Sequence, residues 1–180
     1  VSLSSDGSRL AIGAYGNDNI NGIDAGYVRV YEWNNSSWNQ LGDNIDGENA
    51  NDQSGSSVSL SSDGETVAIG AWGNDVNGTD AGHVRIFNFN GSSWDQLGSD
   101  IDGESTGVNS GYSVSLSSDG ETVAIGAPSN DFNGSNSGSV SLFEFNGNDW
   151  DVIFTYHGEN PDDYSGHSVS LSGDGLSLAV

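Results

Sequence analysis

The sequence predicts an all-β fold: tandem four-stranded antiparallel blades of a β-propeller, with a period of about 56 residues. Three observations predict it. The segment Val1-Ser2-Leu3-Ser4-Ser5-Asp6-Gly7 returns at Val58–Gly64 and Val114–Gly120, and again at Val169–Gly175 with Gly173 in the fifth place, at spacings of 57, 56 and 55 residues. Every unit carries four short runs of strand character, and nowhere is there a helical period. Gly, Asn and Asp separate the runs, as tight turns require.

The second unit shows the elements in order. Val58-Ser59-Leu60-Ser61 alternates apolar and polar residues, and its small seryl face suits an inner position where blades converge. Asp63-Gly64 then marks a tight two-residue turn. Thr66–Ala71 is almost continuously apolar, so it is expected to be covered on both faces. A Gly/Asn/Asp loop, 73–82, leads to the strand His83–Phe89. Asn90-Gly91 turns the chain into a fourth strand, Ser93–Leu97. The polar run 101–111 is read as the connection to the next blade. Repeat boundaries follow at 1–57, 58–113, 114–168 and 169–180, the last being the start of a fourth repeat. The length changes fall between Asp18 and Asn21 and after Trp150, where loops are expected. Trp38, Trp94 and Trp150 share one place in the repeat and are expected to fill the gaps between blades. About three repeats fall short of a closed ring of four to eight blades, so the chain reads as a partial propeller, a window on a longer repeat chain or a unit completed by other copies.

Composition narrows the function. Hydrophobic residues are 33% of the chain, and 27 Gly bring the packing-competent share to an ordinary level. The regular Val, Leu, Ile and Trp positions exclude disorder despite the net charge of −23. With no Lys and only Arg9, Arg29 and Arg85 as cations, the chain repels nucleic-acid phosphate and anionic lipid. Cations and basic partners suit it better. There is no Cys, which excludes disulfides and thiolate metal sites. No apolar run approaches the length of a membrane-spanning helix.

Gly55-Ser56-Ser57-Val58 leading into a strand, and a second strand ending in Gly-Ala (Gly126-Ala127-Pro128 in the third unit), resemble FG-GAP repeats, the blades of integrin α-subunit propellers. The extended pattern is also similar to tandem repeats in large secreted surface proteins of marine bacteria. The resemblance implies a non-catalytic module at the cell surface or outside the cell, with a structural or adhesive role, and protein, glycan or other copies of the repeat as partners. It implies Ca²⁺ as well, but the family's D-x-D-x-D-G-x-x-D hairpin is reduced here to Asp-Gly at Asp6, Asp63, Asp119 and Asp174, so that site does not carry over.

Hard cations take six to eight oxygen ligands. The loops between strands two and three supply such donors: Asp18, Asn21 and Asp24; Asp75, Asn77 and Asp80; Asp131 with Asn133 and Asn136. The competing reading is turn formation. A second acidic group, Asp46, Glu48 and Asp52 with Asp102 and Glu104, and Glu159, Asp162 and Asp163, is read as solvated blade-to-blade loops. Catalysis finds no repeated constellation. His83, His157 and His167 do not share positions, and the serines lack a nucleophile-elbow context. Sequons stand at Asn34, Asn35, Asn77, Asn90 and Asn133. Tyr15 and Trp72 occupy equivalent loop positions and are candidates for a binding face. Exposed aromatics there favour adhesion; near-identical loops favour a structural spacer or a self-assembling surface unit.

Overall fold

The structure, a computed structural model, describes residues 1–180 and contains only strands and turns. Blade 1 comprises β1 (Ser2–Leu3), β2 (Arg9–Gly13), β3 (Tyr27–Trp33), β4 (Trp38–Gln40) and β5 (Ile45–Asp46). Blade 2 comprises β6 (Ser57–Leu60), β7 (Thr66–Ala71), β8 (His83–Phe89), β9 (Trp94–Gln96) and β10 (Ile101–Asp102). Blade 3 comprises β11 (Ser113–Leu116), β12 (Thr122–Ala127), β13 (Ser139–Phe145) and β14 (Trp150–His157). A short hairpin, β15 (Ser170–Leu171) and β16 (Leu178–Ala179), begins the fourth. All pairings between strands are antiparallel and run outward in order.

Two local expectations are corrected. The fourth strand does not end at Leu97. After a detour through Gly98 (φ +74°) the chain returns to the sheet, where Ile101 and Asp102 pair with Val84 and His83. Ile45 does the same in blade 1, and both isoleucines are buried. In blade 3 the one-residue deletion after Trp150 removes the detour, leaving a continuous β14 with a register shift at Leu142/Phe143. The inner hairpin also differs. Gly64 N–H donates to Ser61 O, and only Gly64, not Asp63, has positive φ. The turn is centred on Ser62-Asp63, with glycine in the left-handed place after it. Asp63 Oδ1 accepts from Ser61 Oγ and Glu65 N–H, which closes the hairpin. Equivalent bonds at Asp6, Asp119 and Asp174 hold those carboxyls below their usual range.

Packing between blades follows from the seryl face. β1, β6, β11 and β15 lie side by side. Ser2, Ser59 and Ser115 Oγ each accept the backbone N–H of the next blade's Leu60, Leu116 and Leu171, all at 3.0 Å. Above this ring, β7 is buried along its whole length because blades cover both its faces, as expected. Two apolar clusters fill the gaps: Val28, Val30, Val67, Ile69 and Phe87 between blades 1 and 2, and Val84, Ile86, Val123, Ile125 and Trp150 between blades 2 and 3. Trp94 and Trp150 reach back to the preceding blade and donate Nε1–H to Leu41 O and Leu97 O, both at 2.8 Å. Trp38, in the first of the described blades, packs on no other blade and is 40% exposed, against 8% for Trp150.

Candidate functional site

The loops between the second and third strands cluster at one edge of each blade, knitted to the segment that leads into the next blade. Gly26, Gly82 and Gly138 form parallel bridges with Ser54, Ser110 and Ser165. The Asx residues build this frame. Asp18, Asp75 and Asp131 each present Oδ1 to the backbone N–H of Asp24, Asp80 and Asn136, which sit at φ near +50°. Asn21, Asn77 and Asn133 donate Nδ2–H to the carbonyls of Gly47, Gly103 and Gly158. One carboxylate oxygen per loop is thus engaged within its own turn, and each amide nitrogen ties the loop to the chain beside it. Each triplet chosen from the sequence therefore lies within one loop.

The frame is constant while its tips vary. Blade 1 presents Ile20 and Ile23, blade 2 presents Val76 and blade 3 presents Phe132, all exposed. Phe132 is 70% exposed although one face of its ring stacks on His157 at 3.9 Å between centroids. Tyr15 is exposed on the same edge, whereas Trp72 is half-buried. Phe132 was missed because neither of the other two units has an aromatic there.

The sequons divide by geometry. Asn34 and Asn35 lie in the exposed β3–β4 turn, with Asn35 at φ +72°. The Asn90 side chain is committed to its turn: Oδ1 accepts from Ser92 and Ser93 N–H, and Nδ2 donates to Ser93 Oγ and Asp95. Asn77 and Asn133 are exposed, but their amides serve the loop frame.

The second acidic group is not uniformly solvated, which corrects the expectation. Asp52 is buried, its Oδ2 accepting from Asn49 N–H and Asn74 Nδ2–H. Asp102 lies in a strand opposite His83. His83 is 1% exposed, and burial, followed by the Arg85 charge, lowers its pKa from the usual 6.5 to about 4. Burial raises the carboxyls of Glu48 and Asp102.

The largest cavity, about 590 Å³, lies elsewhere, in the seam between blade 3 and the β15–β16 hairpin. Phe154, Tyr156, Leu178 and Val180 line it. Tyr156 stands where Ile101 of blade 2 packs against blade 3, so this is a packing seam.

The Gly pairs of the repeat have a structural reason. A Cβ on Gly13, Gly70 or Gly126, at the Gly-Ala end of the second strand, would overlap the carbonyl oxygen of Gly55, Gly111 or Gly166. The latter three precede the inner strands and have φ between +81° and +90°. The two glycines lie back to back, and only glycine permits both the approach and the backbone angle. Four-stranded antiparallel blades, stacked through their inner strands and locked by glycine pairs, define a β-propeller repeat protein. The FG-GAP repeat family matches residues 46–87 and 92–143, just over half of the chain, and the chain belongs to this family. No curated protein matches it. The family is generally a non-catalytic structural or binding module and occurs mainly in extracellular or surface proteins. Its calcium hairpin does not fit here: each inner turn has a single aspartate, whose Oδ1 already accepts the turn's own hydroxyl and N–H donors.

Proposed function

We propose that this chain is an extracellular binding module whose strand-two-to-three loop face docks a protein or glycan. The observation that supports this most is the pairing of a constant Asp/Asn/Gly frame with variable exposed tips: Ile20 and Ile23, Val76, and Phe132. A spacer has no use for exposed apolar and aromatic tips on one rigid edge, whereas a binding face does. Tyr15 extends the same face. Any Ca²⁺ on this face binds through the carboxylate oxygens that the frames at Asp18–Asp24, Asp75–Asp80 and Asp131 leave free. The excess of negative charge favours a partner bearing basic groups. The test is binding of the labelled chain to arrays of extracellular glycans and matrix proteins, beside the variant Tyr15→Ser/Val76→Ser/Phe132→Ser. Selective binding that the variant loses while keeping its fold is the expected result. Binding unchanged in the variant, or none beyond that of an equally acidic control protein, would overturn the proposal. Concentration-dependent self-association removed by the same substitutions would instead favour a self-assembling surface unit.

A further inference from the structure

Ligand-bearing side chains gather beside buried polar atoms that have no partner at the polar end of the seam between blades 1 and 2. His83 Nδ1 is buried there without a hydrogen bond, and so is Asp102 Oδ1. The two atoms are 3.9 Å apart, and Asp100 Oδ2 lies 3.9 Å from the same nitrogen. Glu48 joins them from blade 1: ligand atoms of Glu48, His83 and Asp100 all fall within 4.8 Å of one another. A buried polar atom left without a partner is destabilising, and two such atoms facing each other beside further carboxylates suit a bound cation.

We propose that Glu48, His83, Asp100 and Asp102 form a site for a divalent first-row transition metal, Zn²⁺ being the probe, that staples blade 1 to blade 2. The donor set of one imidazole nitrogen and carboxylate oxygens suits Zn²⁺, whose bonds to such atoms are about 2.0–2.2 Å. Ligand atoms around a tetrahedral ion stand closer than the 3.9 Å from His83 to each aspartate and the 4.8 Å that takes in Glu48, so binding would draw the Asp and Glu side chains inward. His83 is buried and brings Nδ1 to the site with no hydrogen-bond partner of its own there. Arg85 is the one opposing charge. Its Nη2 is anchored on Asp46 O at 2.7 Å and its Nη1 lies 3.4 Å from Glu48 Oε1, which leaves Oε2 for the metal. The site is particular to this seam. The position of His83 holds Tyr27 in blade 1 and Ser139 in blade 3, and that of Asp102 holds His157 in blade 3. It is also separate from the aspartates of the strand-two-to-three loops, so it does not depend on the proposed binding face.

The experiment uses the whole chain, stripped of metal with a chelator. Zn²⁺ binding is followed by calorimetry, and Co²⁺ is substituted as a visible-absorbing reporter. The wild type is expected to bind one equivalent, to show ligand-field bands of low-coordinate Co²⁺, and to melt at a higher temperature with Zn²⁺. His83→Ser, which installs the residue blade 3 carries, is expected to weaken binding at least about ten-fold and to remove the Co²⁺ bands. Asp100→Asn, at a half-exposed position, should weaken binding similarly and decides the matter if His83→Ser fails to fold. Asp75→Ala/Asp80→Ala should leave this binding unchanged. Absence of stoichiometric binding, equal affinity in the His83 or Asp100 variant, or loss of binding in the Asp75/Asp80 variant instead would each overturn the proposal.

Discussion

The seam between blades 1 and 2 and the seam between blades 2 and 3 share a skeleton and differ in their polar ends. Both have a seryl hydroxyl accepting the next inner strand, an aliphatic cluster, and a Trp indole bonded to the preceding blade at the same distance. At the polar end, the first seam holds His83, Arg85, Glu48, Asp100 and Asp102. The second holds Ser139, Ser141, Glu104, Thr155 and His157 at the equivalent places. The difference teaches that the repeat specifies the backbone and the apolar core, while charge at the rim is free to vary. Shared features should therefore set stability alike in both seams, and rim features should affect only the first.

The largest effect should come from the shared indoles. Trp150→Ala should cost about 3–5 kcal/mol in denaturant unfolding, Trp94→Ala somewhat less because it is half-buried, and Trp38→Ala under about 1 kcal/mol. Equal losses at Trp38 and Trp150 would mean that the Trp acts within its own blade, against its partner Trp33 or Phe145. Gly70→Ala should cost about 3 kcal/mol, because the added methyl meets the Gly111 carbonyl and backbone cannot step aside. A neutral Gly70→Ala in the same assay would remove the glycine-pair account of the repeat signature.

The rim comes next. His83 titrates at about 4 when folded against 6.5 in its usual state, so between these values the unfolded chain binds the extra proton. Stability is therefore full above 6.5 and declines as pH falls toward 4, by an amount on the order of 3 kcal/mol. The raised carboxyls of Glu48 and Asp102 act with opposite sign, returning part of that stability as they protonate at the low end. His83→Ser should flatten the decline seen in thermal melts across this range. Smallest is Ser59→Ala, which removes one acceptor for Leu116 N–H and should cost about 1 kcal/mol by the same unfolding assay.

The blades themselves were legible in the sequence because strand alternation, Asp-Gly turns and the recurring Trp are local signals repeated in every unit. The return of Ile45 and Ile101 to the sheet was not, since two residues after a polar detour carry no alternation to read. The burial of Asp52 and the gathering at His83 were hidden for a different reason. Glu48 and His83 lie in different repeats, and only the stacking of blades brings them together. One signal was available: His83 sits two residues before Arg85 on the face that meets the acidic run of the preceding unit, while the other two units carry no histidine there.

The most direct measurement is residue-resolved amide hydrogen exchange at the two seams, comparing Leu60 and Val67 with Leu116 and Val123 from about pH 7 down to about pH 5, corrected for intrinsic rates. Protection at Leu60 and Val67 should fall with acid, while Leu116 and Val123 hold, and Zn²⁺ should restore the first pair alone. A parallel loss at both seams, or protection insensitive to pH and metal at the first, would contradict the view that a common skeleton carries seam-specific chemistry at its rim.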